Sequence, residues 1–484
     1  MKRTLPALVM AAALASAAQA QPARAPDLTL SGALTSAAHQ TYVGIPFKVP
    51  PGTERLTVEF EYTGKAQKSV IDLGLRDPEG FRGWSGGNKS SFTLAKTDAT
   101  PSYLAGPLTP GTWTLILGAP NIRKGARAEY LARIWLDRAG APPDFSPVVQ
   151  AQGERWWRGD LHVHTAHSDG SCLSRKGARI PCPVFKTLEA AAARGLDFVA
   201  VTDHNTTSHF DALRELAPYF DDLLVVAGRE ITTFHGHANV FGPTDFIDFQ
   251  LPRMADIQAQ ARKAGGLFSI NHPGLPSGEF CMGCGWTAPD MDYAAVEAIE
   301  VINGGFAEGP LSGLAFWEAR LDEGRRITAV GGSDNHDAGL DPVKAPAVGV
   351  PTTVVRAPER SQSAILEAIR SGHVFVDVVG TADRLLEVRA VSGADVAQMG
   401  DVLAAPAGRK VEIEIRVVGG AGGRVRLAGD AKGLAAPGDL TISKVDQRLR
   451  VAFTADGAAR WLRVDVLGPD GKLILLGNPV YLRP

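Results

Sequence analysis

The segment from Arg158 to Gly170 reads Arg-Gly-Asp-Leu-His-Val-His-Thr-Ala-His-Ser-Asp-Gly and predicts a strand that ends in polar side chains. On a strand, His162 and His164 lie two positions apart and project to the same face, so both imidazoles can bind one cation. The apolar residues that alternate with them point to the opposite face. Asp169 follows after a short turn and can return a carboxylate to the same region. The segment therefore predicts a metal site at the end of a buried strand.

Apolar runs of strand length alternate with helical stretches through the middle of the chain. The strand runs are 198–201, 223–226, 267–270, 299–302 and 327–330, and the helical stretches are 184–194, 254–264, 311–323 and 363–370. This alternation predicts an α/β fold with parallel strands and helical crossovers, as an open sheet or a barrel. Residues that can bind a metal come just after several runs: Asp203, His204, Glu230, His272, Asp334 and His336. In β/α barrels the carboxyl ends of the strands open on one face, where active sites are built.

The two flanks of this region have a different pattern. Residues 28–137 contain short alternating runs separated by turn signals such as Pro110-Gly111, which predict an N-terminal β-sandwich. A proline-rich stretch over residues 139–152 is typical of a linker, and β-type alternation returns from about residue 385. We therefore expect an N-terminal sandwich over residues 21–150, a central domain over 151–380 and a smaller C-terminal β-sandwich over 381–484.

Composition limits the classes of function. The chain has 484 residues, 45% of them hydrophobic, and 50 Lys and Arg face 52 Asp and Glu for a net charge of −2. This balance argues against a disordered chain and against a nucleic-acid polymer as partner. No pattern in the sequence indicates the oligomeric state.

The first twenty residues predict export. They combine a basic start, an apolar run and Ala18-Gln19-Ala20, which is the plan of a cleavable signal peptide with the mature chain beginning at Gln21. We expect a periplasmic or secreted protein without a membrane anchor. In that setting the four cysteines, Cys172, Cys182, Cys281 and Cys284, predict disulfides, with three pairings open and a zinc knuckle at the last two as the weaker alternative.

The ordered motifs of the central region resemble the polymerase and histidinol phosphatase (PHP) family of metal-dependent phosphoesterases, over about residues 155–378. The motifs are His162-Val163-His164, Ser168-Asp169-Gly170, Thr202-Asp203-His204, Glu230, His237, His272-Pro273 and Ser333-Asp334-Asn335-His336. The resemblance implies a distorted barrel of about seven β/α units. With the signal peptide and the flanking β regions, the chain further resembles the exported branch that contains carbaryl-type ester hydrolases.

The resemblance also implies a set of metal ligands. The first metal would take His162, His164, Glu230 and Asp334, the second Glu230, His237 and His272, and the third Asp169, His204 and His336. His235, two residues from His237, is the alternative at that position. Imidazole and carboxylate ligands suit two or three divalent ions, Mn²⁺, Zn²⁺ or Fe²⁺. Such ions lower the pKa of bound water and polarise the substrate oxygen.

The family pattern marks His204, Asp334 and His336 as catalytic. His204 is either a third-site ligand or, with His209 as a weaker candidate, the acid that protonates the leaving group.

Three residues are candidates for substrate binding. Arg175 and Lys176, together with Arg179, lie between Cys172 and Cys182 and can orient a phosphate, although an ordinary solvated loop has the same composition. Asn303 follows a strand run and is expected to line the pocket, with Trp286 as a further candidate.

The leading functional hypothesis is an exported metal-dependent hydrolase of small-molecule phosphoric esters, either phosphodiesters or small organophosphates. The same metal site can also hydrolyse a carboxylic or carbamate ester, because an activated water attacks acyl carbon as well as phosphorus. A different class remains as an alternative: an extracytoplasmic binding protein whose barrel has lost its activity.

Overall fold

The computed structural model describes residues 24–138, 145–146, 149–279, 281, 283–429 and 440–484. The expected signal peptide and most of the expected linker lie outside these residues.

The described residues form a mixed α/β structure in which strands far outnumber helices. The α-helices are α1 (Val184–Ala193), α2 (His209–Leu216), α3 (Met254–Lys263), α4 (Leu314–Asp322) and α5 (Gln362–Arg370). Short 3₁₀ turns span Ser36–Ala38, Lys65–Gln67, Ala217–Tyr219 and Tyr293–Ala295.

The N-terminal region consists of two antiparallel four-stranded sheets. Its strands are β1 (Leu28–Thr35), β2 (Tyr42–Val49), β3 (Arg55–Tyr62), β4 (Val70–Arg76), β5 (Phe81–Gly86), β6 (Ser91–Ala95), β7 (Gly111–Asn121) and β8 (Arg127–Asp137). One sheet has the order β1-β8-β3-β6 and the other β2-β7-β4-β5. Strand β3 shows why they pack together, because Leu56, Val58 and Phe60 are buried while the residues between them stay partly exposed. Both sheets contribute to one apolar core.

The central region carries a row of seven hydrogen-bonded strands and one small hairpin. Its strands are β9 (Val149–Val163), β10 (Ser171–Leu173), β11 (Arg179–Pro181), β12 (Phe198–Val201), β13 (Leu224–Thr233), β14 (Gly236–Phe241), β15 (Leu267–Ile270), β16 (Ala298–Asn303) and β17 (Thr328–Gly332). The row runs β9-β12-β13-β14-β15-β16-β17, and β10 pairs only with β11.

The two ends of this row meet at the chain segments that carry the candidate ligands. The N–H of Asp334 donates to the carbonyl of His162 at 2.8 Å, and the N–H of His164 donates to the carbonyl of Asn335 at 2.8 Å. The row is therefore curved, with the carboxyl ends of its parallel strands gathered on one side. Helix α5 packs against it through Ile365, Leu366 and Ile369, which are buried.

The C-terminal region continues the central sheet. Its strands are β18 (Thr352–Arg360), β19 (Val374–Asp377), β20 (Leu385–Ser392), β21 (Asp395–Gln398), β22 (Val402–Ala404), β23 (Lys410–Val418), β24 (Arg424–Gly429), β25 (Asp446–Thr454), β26 (Arg460–Leu467), β27 (Leu473–Gly477) and β28 (Val480–Arg483). Strand β18 pairs with β9 inside the expected central domain. Strand β19 pairs with β27, so hydrogen bonding crosses the expected domain boundary at residue 380. A separate antiparallel sheet, β21-β20-β23-β25, shares a core with this extension.

The structure differs from the sequence expectation at particular elements. Strand β9 begins at Val149, inside the expected linker, because its first residues pair with β18. Strands β13 and β14 form an antiparallel hairpin, so no helix connects them. The predicted helix over 311–323 is shorter, since α4 begins only after Gly313.

Candidate metal centre

The nine predicted ligands come together at one edge of the central row, at the carboxyl ends of its parallel strands and at the amino end of the antiparallel β14. His162 lies in β9 and His164 follows it, Glu230 lies in β13, His237 in β14, and Asp169, His204, His272, Asp334 and His336 lie in segments that follow strands. Parallel strands deliver their ends to one edge of a sheet, which explains how residues so distant in sequence meet.

Glu230 stands between two groups of histidines. Its Oε2 is 3.3 Å from Nε2 of His162 and 3.4 Å from Nε2 of His164. Its Oε1 is 3.2 Å from Nδ1 of His237 and 3.3 Å from Nε2 of His272. His204 also approaches Oε2, with Nδ1 at 2.9 Å, so the two oxygens face separate groups of imidazoles, an arrangement that would suit a ligand shared by two cations.

Asp334 completes the first group. Its Oδ1 is 3.4 Å from Nε2 of His162 and 3.1 Å from Nε2 of His164. A Cys284 sulfur also lies near His237 and His272, but it is bonded to Cys281 and is therefore not a thiolate ligand.

The third group is more open to solvent. Asp169 Oδ1 is 3.2 Å from Nε2 of His336 and 3.7 Å from Nε2 of His204. The ring of His164 stacks between His204 and His336, with centroid distances of 4.4 Å and 4.1 Å. The Asp169 side chain is 60% exposed, whereas His162, His164 and Glu230 are fully buried. Solvent and small molecules therefore reach the site from the side of the third group.

The residues fit divalent ions by a test that is independent of sequence motifs. Nε2 of His162 and both ring nitrogens of His237 are buried and have no hydrogen-bond partner among the described residues. Buried polar atoms are nearly always satisfied, and each exception needs an explanation such as an ion. Imidazole nitrogens and carboxylate oxygens that face one another at these distances suit Mn²⁺, Zn²⁺ or Fe²⁺.

Neighbouring hydrogen bonds orient the imidazoles. Nδ1 of His272 is 3.2 Å from the carbonyl oxygen of Cys284, and Nδ1 of His336 is 2.8 Å from that of Asp334. A carbonyl only accepts, so both Nδ1 atoms carry a proton, and both Nε2 atoms face the cluster, where a cation can replace any proton that they hold. Asn271, which no sequence motif had indicated, donates from Nδ2 to Oε1 of Glu230 at 2.9 Å.

The two histidines of the β13–β14 hairpin have different surroundings. His237 is 4% exposed and faces Glu230, whereas His235 is exposed and its backbone N–H donates to Thr233 Oγ1. Of the two alternatives left by the sequence, His237 is the one that lies in the cluster.

Two ligands lie on backbone that is rare for residues other than glycine. The φ angle is 28° at His272 and 52° at Asp334, both in the left-handed region. Such conformations cost about 1–3 kcal/mol each and cluster at functional sites. The surrounding hydrogen bonds hold these residues in place against that cost.

The charges of the cluster shift the pKa of its members. Burial lowers the pKa of His164 to about 4, which keeps this imidazole neutral at neutral pH. Burial also lowers the pKa of His336, but the hydrogen bond to Asp169 and the carboxylate of Asp334 outweigh it and raise that pKa to about 9. Burial would raise the pKa of Glu230, yet the charges of His162 and His204 hold it well below its usual range. The carboxylates of the cluster are thus ionised and face imidazoles that hold protons, and a bound cation would take the place of those protons.

The disulfide-closed hairpin β10–β11 lies beside the third group. Cys172 pairs with Cys182, Cys281 pairs with Cys284, and the N–H of Ser171 donates to the His336 carbonyl at 2.7 Å. Arg179 forms an ion pair with Asp337 at 2.9 Å. The side chains of Arg175 and Lys176 are exposed and make no ion pair within the described part of the chain.

Other candidate residues have buried roles. Asn303 is buried, and its Nδ2 donates to Asp334 Oδ2 at 3.2 Å, so the structure places it behind a ligand rather than in an open pocket. Trp286 packs against Gly236. His209 is fully buried and hydrogen-bonded through Nε2 to the Gly228 carbonyl at 2.8 Å. The suggestion that His209 protonates a leaving group is therefore wrong.

None of the helices in the described ranges is long and apolar enough to cross a membrane.

No family model matches the chain. An uncharacterized protein of Methanocaldococcus jannaschii is 28% identical over 162 residues, which are 33% of this chain and 88% of that protein. Among solved structures, a two-domain protein of Bacteroides vulgatus that contains a predicted PHP-like metal-dependent phosphoesterase matches with a TM-score of 0.38 and 21% identity. The match covers 71% of this chain and 99% of that one. At these levels of similarity neither protein assigns an activity to the chain.

Proposed function

We propose that the chain is an exported metal-dependent hydrolase of small-molecule phosphoric esters, with a PHP-type site that holds at least two divalent ions. The observation that carries the proposal is Glu230, whose two oxygens face two separate groups of histidines. Adjacent dications repel each other, and a shared carboxylate offsets that repulsion. Bound divalent ions would lower the pKa of a water and polarise the phosphoryl oxygen.

The buried and the exposed residues of the site have different roles. Glu230 and the deeply buried imidazoles hold the centre rigid and exclude water. His204 contacts Thr232 Oγ1 at 2.5 Å and Glu230 Oε2 at 2.9 Å through Nδ1, so its Nε2 is left for the open side. At that position, His204 serves either as a third-site ligand or as the acid that protonates the leaving oxygen.

We assign substrate orientation to the exposed cations of the β10–β11 hairpin. Arg175 and Lys176 carry charge that no described carboxylate neutralises, and the hairpin is attached to His336 through Ser171. The double variant R175A/K176A should raise KM for an anionic diester several-fold and leave KM for a neutral ester unchanged. An equal loss on both substrates would contradict this role.

Export is part of the proposal. It is supported by the signal-peptide pattern of residues 1–20 and by two disulfides, which persist in oxidising compartments. Expression with and without residues 1–20, followed by cell fractionation, tests it: only the full chain should reach the periplasm or the medium. Retention of the full chain in the cytoplasm would contradict export.

A substrate panel tests the reaction. Metal-free protein reloaded with Mn²⁺, Zn²⁺ or Fe²⁺ should hydrolyse bis(p-nitrophenyl) phosphate or p-nitrophenyl phosphate faster than p-nitrophenyl acetate or a naphthyl carbamate. Preference for the carbamate or acetate would move the assignment to ester hydrolysis at the same centre. Metal binding without turnover of any of the four would favour a binding protein.

A further inference from the structure

Glu300 lies behind the metal centre, in the middle of β16. It is 2% exposed and is surrounded in sequence by apolar residues. Its Oε1 is 2.9 Å from Nδ1 of His162. Its Oε2 accepts from the backbone N–H of His272 at 3.1 Å and from Nδ2 of Asn303 at 3.0 Å.

These contacts connect Glu300 to three candidate ligands on different strands. His162 and His272 are contacted directly. Asp334 is reached through Asn303, whose Nδ2 also donates to Asp334 Oδ2 at 3.2 Å. One buried carboxylate thus supports ligands at the ends of β9, β15 and β17.

We propose that Glu300 is a positioning residue that fixes the Nδ1–H tautomer of His162 and so presents Nε2 of His162 to the metal centre. The inference rests on the proposed function only in that the cluster binds metal. Carboxylates that accept from the far nitrogen of a ligating histidine typically orient the ring and increase metal affinity.

Only a carboxylate satisfies all the groups around this position. Two oxygens accept from three donors: one on His162, one on His272 and one on Asn303. A glutamine offers one oxygen and one NH₂. If the NH₂ faced His162, it would force the proton onto Nε2, and that nitrogen could not bind a metal. If it faced His272, two donors would meet in a buried site.

Gly332 in β17 provides the space for this contact. A Cβ at Gly332 would collide with both Oε1 of Glu300 and Cβ of His162. The absence of a side chain there allows the carboxylate to reach the imidazole from the neighbouring strand.

The variant E300Q tests the inference, with E297Q as its matched control. Glu297 comes just before β16, is half-buried and accepts from the Phe268 N–H at 2.9 Å, away from the cluster. Metal-free proteins should be titrated with Zn²⁺ against a chromophoric chelator and analysed for metal per chain. We expect E300Q to lose about 10–100-fold in affinity at one site, the usual effect of removing such a partner, and E297Q to match the parent protein.

A measurement on the parent protein keeps the test valid if E300Q does not fold. With ¹⁵N-labelled histidine and Zn²⁺ bound, the His162 ring should show a proton on Nδ1 and none on Nε2. A proton on Nε2, or an E300Q affinity equal to that of E297Q, would overturn the inference and leave the proposed function intact. Failure of the parent protein to bind any of Mn²⁺, Zn²⁺ or Fe²⁺ would overturn both.

Discussion

His272 and Asp334 hold their side chains in the cluster from backbone conformations that glycine would adopt more easily. The N–H of Asp334 is fixed by the carbonyl of His162, and the N–H of His272 by Glu300. The backbone N–H of each strained residue is thus hydrogen-bonded to another residue of the site or of its support. Positions of this kind tolerate little change, because the strain and the ligand geometry depend on the same contacts.

A pair of single-residue variants on one hairpin tests the ligand assignment. H237A removes an imidazole whose nitrogens are buried beside Glu230, whereas H235A removes an exposed ring two residues away. We expect H237A to lose at least one metal equivalent per chain and most of the phosphodiesterase activity, and H235A to keep both. Inductively coupled plasma mass spectrometry and initial rates give the two readouts. Equal metal content in the two variants would contradict the role of His237.

Some of these residues could be predicted from sequence and others could not. Motif residues such as His162 and Asp334 follow strands, where a polar side chain is a visible signal. The choice between His235 and His237 needed the structure, because residues two apart share a face of a strand. Glu300, the one charged residue in the apolar run 299–302, was missed because it lies within a strand and not after one.

At the level of elements, the short hairpin β10–β11 depends on its disulfide. It is three residues long on each side, and Cys172 and Cys182 are separated by 10 positions. Closing a loop of this length stabilises a fold by roughly 3 kcal/mol. The backbone N–H of Ser171 donates a hydrogen bond to the carbonyl of His336. Loss of the disulfide should therefore also make the position of His336 in the third group less rigid.

The double variant C172S/C182S should therefore be less stable by about 2–3 kcal/mol. The measurement is the urea midpoint of the purified protein with the Cys281–Cys284 pair intact. A lower affinity for the last metal equivalent should accompany it. An unchanged midpoint would show that the hairpin is held by its other contacts.

Some strands of the central sheet could be predicted from the sequence, and others could not. Buried runs such as Phe198–Val201 identified most central strands, because fully buried strands are continuous in apolar residues. The β13–β14 hairpin was not anticipated, since the turn between the strands is too short to stand out. The extension of the central sheet through β27 depends on long-range pairing that local sequence does not encode.

At the scale of the whole molecule, the buried carboxylate of Asp98 links the N-terminal region to the central region. Asp98 is fully buried, and it binds Arg55 of β3 at 2.6 Å and Arg214 of α2 at 2.6 Å. Burial raises the pKa of Asp98, but the two guanidinium groups outweigh it and lower the pKa below its usual value. Nearby, Ala99 donates its N–H to Asp211 of α2 at 2.8 Å.

The variant D98N should destabilise the protein by about 3 kcal/mol at pH 7, because two largely buried guanidinium groups lose their partner. A carboxylate with a lowered folded-state pKa stabilises the fold above its unfolded pKa of about 4, and the effect is lost as the pH falls through the folded-state value. The difference between D98N and the parent protein should therefore be constant from pH 8 to 5 and shrink below about pH 4.

Urea midpoints over this pH range measure the difference. D137N, which breaks a partly exposed pair with Arg24, is the control and should change stability by less than about 1 kcal/mol. A D98N effect no larger than that of D137N would contradict the role of Asp98 as an interdomain anchor.

The central claim, that the histidine and carboxylate cluster is a metal centre with hydrolase activity, is tested most directly by removing and restoring metal. Purified protein should contain at least two divalent ions per chain, lose them and its phosphoesterase activity on dialysis against a chelator, and recover both with Mn²⁺, Zn²⁺ or Fe²⁺. A protein that purifies without metal, and that none of these ions activates, would contradict the account.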